Sequence, residues 1–164
     1  MEIEKANLCH LDAFRDYVEK CVQDGIELYD GANRDSDAYL KKRIGYAEGV
    51  GLPEGWPPIS MYFCVDSGKI LGAIRIRHGF NEYINNVIGH IGYETLPQAR
   101  GKGIATSMLH WTLRNVVDES AIISCDINNI GSRKVIEKCG GKYLSTFYCD
   151  EEKNHIMRYQ LKAV

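Results

Sequence analysis

Thr95-Leu96-Pro97-Gln98-Ala99-Arg100-Gly101-Lys102-Gly103-Ile104-Ala105-Thr106 is the stretch that decides how this chain folds. An apolar run ends where it begins. An amphipathic run opens where it ends, with Ile104, Met108, Leu109, Leu113 and Val116 at helical spacing between Gly103 and Val117. The stretch therefore reads as a strand-to-helix turn. Two glycines two residues apart let a main chain approach a ligand without Cβ atoms in the way. The helix that follows offers unpaired N–H groups and the positive end of its dipole. An anion, most naturally a phosphate, suits such a place, and Arg100 and Lys102 add charge beside it. The pattern matches neither common phosphate loop. A P-loop sets Ser or Thr after its lysine, whereas Gly103 follows Lys102; a dinucleotide fingerprint sets a third glycine where Thr106 stands.

Upstream, Met1–Asn7 alternates as a strand, and His10–Asp24 carries the stripe Leu11, Phe14, Tyr17, Val18, Cys21 and Val22 of an amphipathic helix. Ser36 is the expected cap of a second helix through Tyr39, Leu40, Ile44 and Ala47. Gly45–Pro58, rich in glycine and proline around Trp56, reads as a long loop. Met61–Val65 and Ile70–Arg77 flank Asp66-Ser67-Gly68-Lys69, a hairpin signal, and Val87–Thr95 reads as the next strand. Downstream come a short strand at Ala121–Ile127 and a helix at Ser132–Cys139 stopped by Gly140-Gly141. Tyr143–Cys149 and His155–Leu161 close the chain as a second hairpin. This order predicts an α/β (α+β) protein, with a twisted, mixed, largely antiparallel sheet flanked by helices on both faces.

The chain's 164 residues and 18.5 kDa predict one domain over 1–164. Hydrophobic residues make up 45% and charged residues 26%, which excludes wholesale disorder. The net charge of −2 lacks the basic excess of a general nucleic-acid binder. No apolar stretch is long enough to span a bilayer, and the start resembles no secretory signal. Six cysteines without a Cys-x-x-Cys pair predict reduced thiols, a cytoplasmic location and no metal. Charge is uneven: residues 1–60 hold 12 acids and 7 bases, a net of −5, and residues 61–164 hold 10 acids and 13 bases, a net of +3. An acidic half would meet a cation and a basic half an anion.

Gln98-Ala99-Arg100-Gly101-Lys102-Gly103-Ile104-Ala105 resembles the acetyl-CoA signature of the GNAT family of N-acetyltransferases, Gln/Arg-x-x-Gly-x-Gly/Ala. The preceding Ile91–Pro97 is similar to that family's fourth strand with its usual proline. Downstream, Asn129-Ile130-Gly131-Ser132-Arg133-Lys134-Val135-Ile136-Glu137-Lys138-Cys139-Gly140 resembles the family block Asn-x-x-Ala/Ser-x-x-x-Tyr-Glu-Lys-x-Gly. The resemblance covers about Ile88 to Tyr143, and the first 60 residues match in element order alone.

The resemblance implies acetyl transfer from acetyl-CoA to a primary amine of a small molecule or peptide, by a monomer or homodimer, with no nucleic acid, membrane or metal involved. The alternative is a non-catalytic acyl-CoA-binding or sensing domain. It also implies that backbone groups of Tyr93, Glu94 and Thr95 pair with the pantetheine arm, and that Gln98 through Ala105 wrap the pyrophosphate. Asn129 and Ser132 would reach the cofactor from the second block. Residues 1–60 would form the acceptor side, their acids attracting an amine cation, and 61–164 the cofactor side. The sequence departs from the family in its proton carriers. Ile136 stands where the family has its tyrosine acid, Gly141 replaces the usual aromatic, and Ser124 stands where some relatives carry a glutamate base. The remaining candidates are Tyr148, with Tyr143 beside it, as acid, and His90 and Glu94 as bases.

Overall fold

A computed structural model describes residues 1–164. Seven strands form one sheet: β1 (Glu2–Lys5), β2 (Ile59–Asp66), β3 (Lys69–Arg77), β4 (Ile91–Thr95), β5 (Ser120–Asp126), β6 (Lys142–Cys149) and β7 (Asn154–Lys162). Their spatial order is β1-β2-β3-β4-β5-β7-β6, and only β4 and β5 run parallel. The helices are α1 (Leu11–Gln23), α2 (Ser36–Ala47), α3 (Ile104–Asn115) and α4 (Ile130–Lys138). No helix is long and apolar enough to cross a membrane.

The pleat decides which side chain faces which layer. Along β3 and β4, Ala73, Arg75, Gly92 and Glu94 share one face; Gly72, Ile74, Ile91, Tyr93 and Thr95 share the other. On the first face α1 and α2 pack, with the Phe14, Tyr17 and Tyr29 rings meeting edge-on or tilted and Phe14 tilted against Phe63. On the second lie α3, whose Met108 reaches Gly72, and α4, whose Ser132 meets Tyr93. A Cβ at Gly72 would stand 2.8 Å from the Glu94 carbonyl and 3.0 Å from the Met108 methyl, so the glycine sets how closely α3 sits on the sheet. The β2–β3 hairpin turns on Ser67 and Gly68, with φ of 49° and 76°, the twin positive angles of a type I′ turn.

Three expectations are corrected. Asp35, not Ser36, caps α2: its Oδ1 accepts from the Ala38 N–H at 3.0 Å, and Ser36 is the first helical residue, buried. Aspartate and serine cap equally well, and the helix starts one residue early, at Ser36, which makes Asp35 the cap. The helix continues to Ala47, so the long loop begins at Glu48. The strand expected at Val87–Thr95 is shorter, because Ile84–Ile88 form a π-helical turn. Asn81 starts that turn by accepting from the Ile84 N–H at 2.8 Å. Gly89 ends it at φ 76°, where a Cβ would stand 2.6 Å from the Ile122 carbonyl. His90 consequently lies before β4 rather than on it.

Candidate active site

β4 and β5 share a single parallel register point, Ile91 beside Ile123. Beyond it they diverge, leaving a V in the middle of the sheet. His90 holds the closed end. Its N–H donates to the Ile122 carbonyl at 2.6 Å, and its Nδ1 accepts from the Ile122 N–H at 2.9 Å.

A groove of about 750 Å³ opens from the V toward the N-termini of α3 and α4. Tyr93, Glu94, Thr95, Ala99, Arg100, Gly101, Gly103, Ile104, Ala105, Asn129 and Ser132 line it. Of the predicted cofactor contacts, Gln98 and Lys102 are not among the lining residues. Thr106, Asn128, Ile130, Gly131 and Val135 line it without having been predicted. The turn around α4 supplies most of these, and a backbone wall of that kind leaves no residue-type signal beyond its glycine.

Gly101 and Gly103 both adopt φ 76°, in the left-handed region, and a Cβ at either would meet nothing within 4 Å. The main-chain geometry therefore demands glycine there, while the space beside it stays open. No side chain caps α3, and its first helical bond runs from the Ser107 N–H to the Gly103 carbonyl at 2.9 Å. The N–H groups ahead of that bond have no partner in the helix and face the groove. At α4, Asn129 Oδ1 accepts from the Ser132 N–H at 3.0 Å, leaving the Asn129 amide NH2 for a ligand. Two helix N-termini thus meet at one groove, a cradle suited to a phosphate-bearing ligand.

The candidate proton carriers are placed less simply. Tyr148 is exposed on the edge strand β6, packs edge-on against His155, and does not line the groove. Tyr143 is exposed as well, with its hydroxyl 2.8 Å from Thr146 Oγ1. Both stand on the outermost strand, separated from β5 and the V by β7. His90 reaches the vertex, but the backbone bond to Nδ1 leaves the proton on Nε2. Burial and the Arg77 charge hold its pKa below the usual histidine value, so the ring is a neutral clamp rather than a base. Glu94 presents its main chain to the groove and its carboxylate to the opposite face. There Arg75 Nη1 lies at 2.7 Å, and the Tyr17 and Tyr29 hydroxyls donate at 2.9 Å and 2.5 Å. Burial and that carboxylate hold both phenols well above the ordinary tyrosine range, so they remain donors. With its oxygens already engaged, Glu94 is an anchor for the sheet and not a free base.

The phenol that does line the groove is Tyr93, whose hydroxyl lies 2.8 Å from Ser132 Oγ. Burial pushes it up to about 12, which keeps its proton in place. The family's tyrosine position is filled differently: Ile136 is fully buried in the core, and a Cβ at Gly141 would stand 2.5 Å from Ile136 Cγ2. The two departures are one packing arrangement, since a glycine must follow where Ile136 fills the space.

The acids expected to wall the acceptor side lie at the surface. Asp24, Glu27, Asp30, Asp35, Glu48 and Glu54 are exposed, and Asp37 pairs with Arg15 at 2.9 Å. Trp56 meets Tyr83 edge-on and, with the Asn81 to Gly55 hydrogen bond at 3.1 Å, ties the long loop to the segment before β4. Tyr46 is buried beneath Arg43.

Comparison with known proteins bears on this architecture. No curated protein sequence matches the chain. Among solved structures, it resembles the ribosomal L7/L12 α-N-protein acetyltransferase RimL bound to coenzyme A. The identity is 15%, the TM-score 0.71, and the match covers 98% of this chain and 92% of the other. The microcin C7 self-immunity acetyltransferase MccE, solved with acetyl-CoA and AMP, matches at 16% identity and TM-score 0.73, over 98% and 92%. A spermidine N-acetyltransferase SpeG chimera from Vibrio cholerae and human sequences matches at 13% and 0.63, over 99% and 96%. These likenesses concern the fold. The family model described as an acetyltransferase (GNAT) domain matches residues 22–142, from within α1 to the start of β6 and across the whole groove. The chain belongs to the GNAT family of acetyltransferases.

Proposed function

We propose that the protein moves an acetyl group from acetyl-CoA directly to a primary amine. The observation that carries this reading is the V between β4 and β5 running into a groove headed by the two helix N-termini. In this reading the pyrophosphate sits on the amides of Gly101 through Ala105. The pantetheine arm enters the V and pairs with the main chain of Tyr93 to Thr95 as a short added strand. Solved relatives of the same fold hold coenzyme A or acetyl-CoA, which supports that occupant.

The transfer balances as follows. The neutral amine nitrogen attacks the thioester carbonyl carbon, forming a C–N bond, and the carbonyl oxygen takes up negative charge. A β4 N–H stabilises that charge without reorganising. The C–S bond then breaks and the thiolate leaves. The amine's surplus proton passes to water, because the Ile122 N–H occupies His90 Nδ1 and the Glu94 carboxylate is held by Arg75, Tyr17 and Tyr29. The thiolate takes a proton from solvent relayed at the Tyr93 hydroxyl, the phenol of the groove.

Calorimetry with acetyl-CoA, CoA and ATP tests the reading. Binding that depends on the pantetheine arm supports it. No binding, or binding shared equally with ATP, sinks it.

A further inference from the structure

Across the V from the groove, on the face carrying α1 and α2, the sheet register sets four residues in two pairs. Arg75 on β3 is opposite Gly92 on β4, and Ser124 on β5 is opposite Arg158 on β7; Gly92 and Ser124 each follow the one β4–β5 rung, Ile91 with Ile123, and so flank the opening of the V. The two central residues have almost no side chain. A Cβ at Gly92 would stand 3.6 Å from Arg75 Nη2 and 4.0 Å from Arg77 Nη1, so both guanidinium groups converge on this spot. Arg43, on α2, lies near enough for its charge to act on Arg77 and to feel that of Arg75.

The charges here are not matched. Glu94 is the one carboxylate against Arg43, Arg75 and Arg77, and Arg75 and two phenols already occupy it. Arg77 makes one side-chain hydrogen bond, to the Gly89 carbonyl at 3.2 Å, and Arg43 packs on the Tyr46 ring. Arg158 donates from its terminal nitrogens to Ser145 Oγ at 2.9 Å and the Asn85 carbonyl at 2.5 Å, which leaves its Nε. Burial and the neighbouring guanidinium charges lower both, Arg77 to about 10. The same face leaves Arg43 Nε, Arg77 Nε, Arg158 Nε and Ser124 Oγ buried without a protein partner. A buried cation without a counter-charge is costly, and orphaned donors cost more. Four donor-bearing groups around a floor of glycine and serine are complementary to an acceptor-rich, negatively charged group.

We propose that the amine acceptor of this enzyme is a small molecule carrying an oxyanion, a carboxylate or phosphate, near its amino group. Arg77 and Arg43 bind that anion, Ser124 and Arg158 complete its shell, and the amine is thereby held at the V where the thioester carbonyl arrives. The inference rests on the proposed acetyl-CoA site and deepens it. Arg75, neutralised by Glu94, stiffens the floor without taking part.

Matched acceptor pairs test it by thiol release: alanine against alaninamide for the carboxylate, phosphoethanolamine against ethanolamine for the phosphate. The amide lowers amine basicity, so intrinsic reactivity works against the expected result. The expectation is a kcat/KM at least about tenfold higher for the anionic member of one pair, about 1.4 kcal/mol. Which pair shows it identifies the anion. In Arg77→Gln that preference collapses through a raised KM for the anionic amine, while acetyl-CoA affinity by calorimetry stays put. Equal or better turnover of the neutral member in both pairs overturns the proposal, as does an Arg77→Gln loss shared equally by both members.

A second measurement needs no turnover. With the groove saturated by CoA, inorganic phosphate should raise the melting temperature above that in chloride of equal ionic strength. Arg77→Gln should abolish that gain and melt no lower than wild type at low salt, because it relieves repulsion. A phosphate effect that survives Arg77→Gln, or none in wild type, overturns the proposal. Failure of CoA itself to bind overturns the earlier reading instead.

Discussion

The two sides of the V both present positive potential, and they make it by different means. On the groove side the charge is main-chain: amides at two helix N-termini, opened by Gly101 and Gly103 at φ 76°. On the opposite side it is side-chain: Arg77 and Arg158 brought in by β3 and β7, and Arg43 by α2. The first kind is prepaid by the helices that carry it. The second destabilises the fold until an anion arrives. An anion site made of backbone belongs to whatever family shares the loop, whereas one made of arginines belongs to the individual chain.

Perturbing the anchor between the sides should have the largest effect. Glu94→Gln leaves Arg75 buried without its counter-charge and is expected to destabilise by about 3–5 kcal/mol in urea or thermal unfolding. Wild-type stability would show that the two phenols, not the ion pair, hold this floor. Gly103→Trp should come next: a side chain fills the cradle and acetyl-CoA affinity falls at least ~100-fold, roughly 2.7 kcal/mol by calorimetry. The left-handed backbone adds a folding cost of about 1–2 kcal/mol, so the fold survives while the binding does not. Unchanged affinity would remove the groove side from the comparison. Ile136→Tyr, which restores the family residue, should overpack a filled site and cost about 1–3 kcal/mol, without raising turnover. Activity appearing only in that variant would contradict the assignment of the groove phenol to Tyr93.

The smallest effect concerns pH. Burial and the Arg77 charge depress His90, and burial and Lys5 depress His78, so the unfolded chain binds protons that the folded chain refuses. Stability is therefore full above about pH 6.5 and is lost as pH falls below it. His90→Asn should flatten that acid limb in melts taken from pH 7 to 5. An unchanged slope would mean the clamp at the vertex titrates normally.

The same contrast explains what could be read from the chain beforehand. The element order, the β2–β3 turn and the glycine cradle were legible because each imposes a local rule on residue type: alternation, paired positive φ, an uncapped helix start. Asp35 was missed because two adjacent residues can both cap and only the fold chooses between them. The π-helical turn was missed because Ile84, Val87 and Ile88 carry the apolar signal of a strand, and only Asn81 and Gly89 in contact with Ile122 show otherwise. The acids of the first 60 residues lie at the surface, one of them, Asp37, in an ion pair with Arg15. Net charge says nothing about direction, and Arg43, Arg77 and Arg158 span 115 positions, 43 to 158, brought to one face only by register and packing.

The single register point between β4 and β5 has a mechanical meaning as well. It divides the sheet into a four-strand leaf, β1 to β4, and a three-strand leaf, β5, β7 and β6, hinged at one end, where Gly89, His90 and Ile91 meet Ile122 and Ile123. A ligand lying in the V supplies the missing rungs and acts as mortar between the leaves. Amide hydrogen exchange should then slow on β4 and β5 together when acetyl-CoA binds, far from the pyrophosphate cradle, as two separately breathing plates become one.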